Sequence, residues 1–293
     1  MHVATLISAR AERRLSQPVV AEALRILDGG EADWLEAAVA CDVFLPASPG
    51  AEAQLALRAL ADANRVDYVI QHAESRRKRM LIADMDSTMI EQECIDELAD
   101  VVGIKAEVAA ITARAMNGEI AFEPALRERV ALLRDLPEAT IGRVIAERIT
   151  YAPGGRELVA TMRASGAVTA LVSGGFTAFT SAVASHLGID ETRANRLGVE
   201  GGRLTGEVAE PILGRQAKVE ALIEIAGANG LVPADAVAVG DGANDLGMIE
   251  IAGTGVAIHA KPAVAAAAPH RIDHADLTAL LFMQGYRTDD FAS

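Results

Sequence analysis

The sequence has little cysteine and little positive charge for its length. Its 293 residues include two cysteines, Cys41 and Cys94, too few for a disulfide framework. There are 27 lysine and arginine residues against 41 aspartate and glutamate residues, for a formal net charge of −14. Because so acidic a chain repels polyanions, the composition argues against nucleic acid and anionic membranes as partners. A substrate that carries phosphate would need positive charge supplied by its own binding site.

Long apolar segments are also missing. No stretch reaches the roughly 18 uninterrupted apolar residues of a membrane span, and Met1 to Arg10 lacks the basic start and apolar run of a secretory signal. These absences indicate a cytoplasmic protein. Apolar residues make up 51% of the chain and charged residues 23%, which suits a buried core and excludes wholesale disorder. The length predicts two domains, since about 100–200 residues form one.

The first 75 residues predict a small α+β module. Apolar patterning indicates strands at His2–Ser8 and Val66–Gln71, helices at Pro18–Leu27 and Ala51–Ala63, and two strands within Trp34–Leu45. This βαββαβ order resembles the ferredoxin-like ACT domain, although a small appendage without a ligand fits it equally well. The basic run Arg76–Arg79 that follows is interpreted as a solvated linker.

From residue 76 to residue 293 the pattern predicts a second domain, in which strands alternate with helices. The strands are expected at Met80–Met85, Val168–Val172, Ala236–Val239 and Gly253–Ile258, and the helices at Arg156–Ala164, Thr177–Leu187 and Lys218–Ala228. Nearly continuous apolar strands between amphipathic helices predict a doubly wound, Rossmann-like parallel sheet, with its site at the carboxyl ends of the strands. Arg196–Glu207, with Gly201-Gly202 at its centre, predicts a surface hairpin.

A long helical stretch separates the first two strands of this sheet. Its apolar spacing, for example at Ile95, Leu98 and Val102, is typical of packed helices. An insertion at about 91–150 would lie over the carboxyl end of the first strand. We therefore expect a helical cap that covers the site.

Polar residues follow three of the predicted strands where each one ends: Asp84-Met85-Asp86-Ser87-Thr88, Ser173-Gly174-Gly175, and Gly240-Asp241-Gly242-Ala243-Asn244-Asp245. Buried carboxylates are costly unless they are paired or bind a metal, and carboxylates that converge raise one another's pKa. A hard cation such as Mg²⁺, which prefers oxygen ligands, resolves this repulsion.

Such an arrangement suits phosphoryl transfer. One aspartate attacks phosphorus to form an aspartyl-phosphate, and Asp86 serves as general acid and then as general base. The Ser173 hydroxyl and the Gly174 N–H, close to a helix start, offer a phosphate cradle. Lys218 would supply the positive charge that the composition lacks.

These residues resemble the four motifs of the haloacid dehalogenase superfamily, in the right order, over about Arg79 to Asp273. The insertion resembles that superfamily's C1 cap. Within the superfamily, Glu91–Glu97 and Met116–Val130 are similar to the corresponding segments of the phosphoserine phosphatase family. This resemblance implies hydrolysis of O-phospho-L-serine to L-serine and phosphate, the last step of serine biosynthesis.

The resemblance also implies a role for each motif residue. Asp84 would be the nucleophile and Asp86 the proton donor, and Mg²⁺ would be held by Asp84, the backbone carbonyl of Asp86, and Asp241. Asp245 would support the metal waters or Lys218. The residues expected to hold phosphate are Ser173, Gly174, Lys218 and Asn244.

Two cap residues would bind the amino-acid part of the substrate. Phosphoserine carries an ammonium and a carboxylate, which call for an anion and a bidentate guanidinium. The resemblance assigns Glu93 and Arg129 to these tasks, and Met116 and Phe122 would exclude water as the cap closes.

Other functions stay open at this point. A relative could hydrolyse another small phosphomonoester, or pass phosphate to an acceptor other than water. A protein of a different class would bind an amino acid for regulation through an inactive core. The sequence leaves open whether serine acts as a regulator at the N-terminal module, and whether the chain forms a homodimer.

Overall fold

The computed structural model describes residues 1–116 and 119–293, apart from the side chain of Met116. Its first part is a four-stranded antiparallel sheet with the strand order β2-β3-β1-β4, covered by two helices. The elements are β1 (His2–Ser8), α1 (Gln17–Leu27), β2 (Ala32–Glu36), β3 (Ala40–Leu45), α2 (Ala51–Asn64) and β4 (Val66–His72). This is the predicted ferredoxin-like arrangement.

Alternate residues of this first sheet are buried on opposite faces. Leu6 on β1 packs with Val20 on α1 and Leu57 on α2. Ile7 on β1 and Val69 on β4 instead join the apolar core of the rest of the chain. Both faces of the sheet are therefore covered, and the module is docked on its neighbour.

The basic run does not form the solvated linker that its composition suggested. Arg76 Nη1 lies 2.7 Å from an oxygen of Asp42, a carboxylate that is fully buried within β3. The Arg77 guanidinium lies 3.9 Å from the ring centroid of Tyr286. Lys78 is 7% exposed, and its Nζ donates to the carbonyl of Ala234 at 3.1 Å. The prediction was wrong because these side chains join distant segments, which a local composition does not reveal.

The second part is built on a six-stranded parallel sheet with the order β12-β11-β10-β5-β6-β7. Its strands are β5 (Met80–Ala83), β6 (Val168–Phe176), β7 (Glu191–Asn195), β10 (Ala236–Gly240), β11 (Thr254–Ile258) and β12 (His270–Ile272). The helices outside the insertion are α7 (Gly155–Ala164), α8 (Thr177–Leu187), α9 (Arg215–Ala228), α10 (Leu246–Ile251), α11 (Pro262–Ala267) and α12 (Ala279–Met283). A hairpin of β8 (Leu197–Glu200) and β9 (Arg203–Val208) forms where it was predicted.

Helices cover both faces of this sheet, as the continuous apolar strands predict. Along β5, Met80 and Ile82 pack in the cluster that contains Leu222 of α9. Leu81 and Ala83 belong to the cluster that contains Leu158 of α7. The predicted doubly wound fold is confirmed. Several strand bounds differ from prediction: β5 ends at Ala83, before the acidic loop, and β6 continues through its glycines to Phe176, while β10 ends and β11 begins one residue later than expected. The edge strands β7 and β12 were not predicted.

Four helices lie between β5 and α7: α3 (Cys94–Val101), α4 (Lys105–Met116), α5 (Phe122–Ala131) and α6 (Ala139–Arg148). The two chain segments that join this cap to the sheet are hydrogen-bonded to each other. Glu91 N–H donates to the carbonyl of Thr150, and Ala152 N–H donates to that of Met89, both at 3.0 Å. Among the described residues, no helix is both long and apolar enough to cross a bilayer.

Candidate active site

Asp84 is the first residue beyond β5, and the sheet fixes its position. Its N–H donates to the carbonyl of Val239 on the neighbouring strand at 3.0 Å, so the backbone is held at the sheet edge. The side chain is 5% exposed. Its Oδ1 accepts from the Met85 N–H at 2.8 Å and lies 2.7 Å from Lys218 Nζ. The predicted nucleophile and the predicted phosphate-binding lysine are thus in direct contact.

Lys218 lies on the first turn of α9 and is fully buried between two carboxylates. Its Nζ lies 2.7 Å from Asp84 Oδ1 and 2.5 Å from Asp245 Oδ1. Burial lowers the pKa of Lys218, but the charges of Asp245 and Asp84 outweigh burial and raise it above its ordinary value. The other Asp245 oxygen accepts from the Gly242 N–H at 2.9 Å. Lys218 therefore stays charged, and Asp245 holds it in place.

Three carboxylates converge at this edge of the sheet. Oxygens of Asp84, Asp241 and Asp245 lie within 4.8 Å of one another. Asp241 is half-buried and accepts from Thr88 Oγ1 at 3.3 Å. Burial, together with the charge of Asp84, raises the pKa of Asp241 to about 6. This all-oxygen set suits a hard divalent cation such as Mg²⁺, whose charge would offset the repulsion.

Asp86 lies two residues beyond Asp84 in the same loop. Its Oδ1 accepts from the Cys94 N–H at 3.1 Å, at the start of α3. Burial, followed by the charges of Glu93 and Asp84, raises the pKa of Asp86 to about 8. A carboxyl group with that pKa carries its proton at neutral pH, as a general acid requires.

The last residues of β6 lie beside Asp86. Ser173 is 1% exposed, and its Oγ accepts from the Gly175 N–H at 2.9 Å. A Cβ built on Gly175 would lie 2.8 Å from Asp86 Oδ2, so only glycine permits this close approach. The Gly174 carbonyl accepts from Asn195 Nδ2 at 2.8 Å, and Asn195 Oδ1 accepts from the Leu213 N–H at 2.7 Å.

Two further predicted residues lie beside these loops. Phe122, the first residue of α5, is half-buried, and its ring lies 3.2 Å from where a Cβ on Gly174 would stand. The predicted cap residue therefore contacts the predicted phosphate cradle. Asn244 is half-buried, and its amide lies against Gly242 in the turn that follows β10. The side chain of Met116 lies outside the described residues.

The residues predicted to bind the amino-acid part of the substrate lie on the cap side. Glu93 immediately precedes α3, and its Oε1 accepts from Ser87 Oγ at 2.9 Å. Glu93 is exposed as a residue, but the protein atoms around its carboxyl group desolvate that group; this and the charges of Asp241 and Asp84 raise its pKa. The carboxyl group therefore lies within reach of the charges of Asp84 and Asp241.

Arg129 lies on α5 and is half-buried. Burial lowers its pKa, while the charges of Glu93 and Asp96 act in the opposite direction. Within the described part of the chain, the guanidinium is hydrogen-bonded to the Ala125 carbonyl and to Thr112 Oγ1 rather than to either carboxylate. Glu93 and Arg129 are therefore close enough for their charges to interact, and each has other hydrogen-bond partners.

Four polar residues of this site were not assigned roles from the sequence. Ser87 is hydrogen-bonded to Glu93 and Thr88 to Asp241. Both lie inside the first motif, so the motif could have identified them as site residues. Asn195 and Thr112 lie outside the motifs, and nothing in the sequence identified them. Their partners become visible only when strands and helices are packed together.

Comparison with known proteins agrees with this geometry. Residues 81–250 match the family of haloacid dehalogenase-like hydrolases, and the chain belongs to this family. A phosphoserine phosphatase of Albidiferax ferrireducens is 48% identical over 208 residues, covering 69% of this chain and 88% of that protein. The predicted family is confirmed.

Solved structures agree over both parts of the chain. An unliganded probable phosphoserine phosphatase from Vibrio cholerae has a TM-score of 0.80 at 32% identity, covering 99% of this chain and 88% of that one. A substrate-bound phosphoserine phosphatase complex has a TM-score of 0.66 at 42% identity, covering 70% of this chain and 97% of that one.

Proposed function

We propose that the chain is a Mg²⁺-dependent phosphatase that hydrolyses O-phospho-L-serine to L-serine and phosphate. The observation that carries the proposal is the pairing of two aspartates on one loop. Asp84 contacts a buried lysine, and the neighbouring Asp86 has a pKa raised to about 8. This gives one loop an anionic nucleophile and a protonated acid. The similarity to phosphoserine phosphatases supports the same substrate.

In the first step, a carboxylate oxygen of Asp84 attacks phosphorus while the bond from phosphorus to the serine oxygen breaks. Asp86 donates its proton to the departing serine oxygen, so serine leaves as a neutral alcohol. In the second step, water attacks the phosphorus of the aspartyl-phosphate and loses its proton to Asp86. Phosphate leaves, and the Asp84 carboxylate is restored.

The loops that surround Asp84 hold the phosphate during both steps. Lys218 places a fixed positive charge beside the attacking carboxylate, which would otherwise repel the phosphate dianion. Ser173, Gly174 and Asn244 complete the proposed cradle. Because these groups are held by the protein before substrate arrives, they need little reorganisation during the reaction.

The cation site is part of the proposal. Asp245 is hydrogen-bonded to Lys218 through one oxygen and to the Gly242 N–H through the other, which suits a supporting role. Asp84 and Asp241 would be the side-chain ligands, with the Asp86 carbonyl as a third. Mg²⁺ bound there supplies positive charge that offsets the repulsion between the phosphate and the aspartates.

The cap supplies the substrate selectivity. Glu93 would accept hydrogen bonds from the substrate ammonium, and Arg129 would bind its carboxylate. A phosphate ester that lacks either group leaves one of these charges without a partner, which penalises its binding.

The proposal also includes a cytoplasmic location, serine as a regulator at the N-terminal module, and a homodimer. Titration with serine tests the regulator, and the molecular mass in solution tests the homodimer.

Phosphate release from four substrates tests the proposed function. Phosphoserine, phosphothreonine, phosphoethanolamine and a sugar phosphate are compared, each with Mg²⁺ and with EDTA. We expect release that requires the metal and is fastest with phosphoserine. Release that is fastest with the sugar phosphate would contradict the substrate, and serine binding without any release would favour a regulatory protein instead.

A further inference from the structure

The guanidinium of Arg129 is held by two hydrogen bonds within the cap. Nε donates to the carbonyl of Ala125 at 3.3 Å, one turn earlier in α5, and Nη1 donates to Thr112 Oγ1 on α4 at 3.4 Å. A guanidinium has five N–H donors in a fixed planar fork. Within residues 1–116 and 119–293, these two bonds leave one N–H on Nη1 and two on Nη2 for a ligand. Within the described part of the structure, these remaining N–H groups are the ones that can bind a substrate carboxylate.

Thr112 is itself oriented to accept this bond. Its hydroxyl donates to the carbonyl of Val108, one turn earlier in α4, at 3.1 Å. The single hydroxyl proton is thus used within the helix, and the oxygen lone pairs face outward. The Thr112 oxygen can only accept from Arg129, and it links α4 to α5 at the point where the guanidinium lies.

An anchor is needed because negative charges act on Arg129 from other elements. Glu93, at the start of α3, Asp96 on α3 and Asp86 all attract its guanidinium. If Arg129 collapsed onto Glu93, the two groups would neutralise each other, and neither the ammonium nor the carboxylate of the substrate would find its partner. Thr112 holds the guanidinium from α4, a different helix from α3, which carries Asp96.

We propose that Thr112 is a positioning residue for substrate selectivity, which holds the Arg129 guanidinium in the orientation that binds the substrate carboxylate. This inference rests on the proposed function, because it acts through the carboxylate-binding role of Arg129. It assigns a role to a side chain that lies outside every catalytic motif and does not itself touch the reacting atoms.

The test is Thr112→Val, which keeps the shape and the methyl group of threonine and removes only the hydroxyl. We expect KM for phosphoserine to rise about fivefold to tenfold, the size of one ordinary intramolecular hydrogen bond, with kcat within about twofold. Phosphoethanolamine has the ammonium and lacks the carboxylate, so its kcat/KM should stay within about twofold. Thr112→Ser retains the hydroxyl and should restore the wild-type KM.

A matched control is Thr140→Val, which replaces the hydroxyl of another cap threonine, buried on α6 and not the hydrogen-bond partner of Arg129. It should leave KM for both substrates unchanged. Equal losses on both substrates in Thr112→Val, or an unchanged KM for phosphoserine, would overturn the inference.

Arg129→Ala separates this inference from the proposed function. If wild-type enzyme does not prefer phosphoserine to phosphoethanolamine, the proposed function fails and the inference fails with it. If Arg129→Ala abolishes a clear preference while Thr112→Val leaves it intact, only the inference about Thr112 fails.

Discussion

The sheet edge and the cap bring charged side chains to one site in different ways. At the sheet edge, Lys218 is fully buried and contacts both Asp84 and Asp245 within 2.7 Å. On the cap side, Glu93 is exposed and Arg129 is half-buried, and each is held by a hydroxyl group rather than by the other. One set of charges is paired before substrate arrives, and the other set is kept apart.

This difference follows from what each set must do. Burying Lys218 costs desolvation energy, which only close carboxylates can offset, so the catalytic charges have to be locked together. Charges that recognise a substrate must instead keep their hydrogen-bonding capacity for it. Chemistry and selectivity should therefore respond separately to substitution, the first through the sheet edge and the second through the cap.

The largest effect is expected at the sheet edge, from Asp84→Asn. An amide is a poor nucleophile and cannot form the aspartyl-phosphate, so turnover of every phosphate ester should fall by at least about 10⁴-fold. Initial rates of phosphate release measure this loss, and circular dichroism checks that the variant is folded. Turnover of any substrate at a substantial fraction of the wild-type rate would remove Asp84 from the role of nucleophile.

Asp86→Asn should show a loss that depends on the leaving group. The variant cannot donate a proton, so formation of the phosphoenzyme from phosphoserine should slow by about 10²-fold to 10⁴-fold. Nitrophenolate needs no proton to depart, so the first burst of nitrophenol from p-nitrophenyl phosphate should be much less affected. Rapid mixing measures the first release of serine from phosphoserine and of nitrophenol from p-nitrophenyl phosphate. Equal slowing of the two would contradict the role of Asp86 as proton donor.

The smallest expected effect concerns folding stability rather than catalysis. It arises at His270 on β12, outside both the sheet edge and the cap. Burial lowers the pKa of His270 from 6.5 to about 4, so the folded chain keeps it neutral while the unfolded chain binds a proton. Stability is therefore lost as the pH falls from 6.5 toward 4, by about 2 kcal/mol between pH 7 and pH 5.

Urea denaturation of wild type and of His270→Gln at these two pH values measures that contribution. The variant should lose about 2 kcal/mol less than wild type between pH 7 and pH 5, while its preference for phosphoserine stays unchanged. An identical loss in the two proteins would show that His270 is not the group responsible.

The sequence predicted the sheet edge better than the cap, for a physical reason. Asp84, Ser173 and Asp241 each follow an apolar run directly in the sequence, and parallel strands bring their carboxyl ends to one edge. Local patterning was therefore enough to place these residues together. Lys218 needed the family motifs, but its helix was also recognisable from its spacing.

Contacts between elements distant in sequence could not be predicted. Thr112 has no motif around it, and its contact with Arg129 exists only because α4 packs on α5. Asn195 connects the Ser173 loop to Leu213 through hydrogen bonds that no spacing rule describes. The docking of Arg76 on Asp42 likewise depends on how two sheets face each other.

The central claim is that the sheet edge performs the chemistry while the cap chooses the substrate. It is tested most directly by the ratio of kcat/KM for phosphoserine to that for phosphoethanolamine, in wild type and in Arg129→Ala. We predict a wild-type ratio of about 100 or more, because the half-buried Arg129 guanidinium is left without a partner when the carboxylate is missing. In the variant the ratio should fall below about 10, through loss of phosphoserine hydrolysis alone. Equal losses on both substrates would contradict the claim and would make Arg129 part of the chemistry.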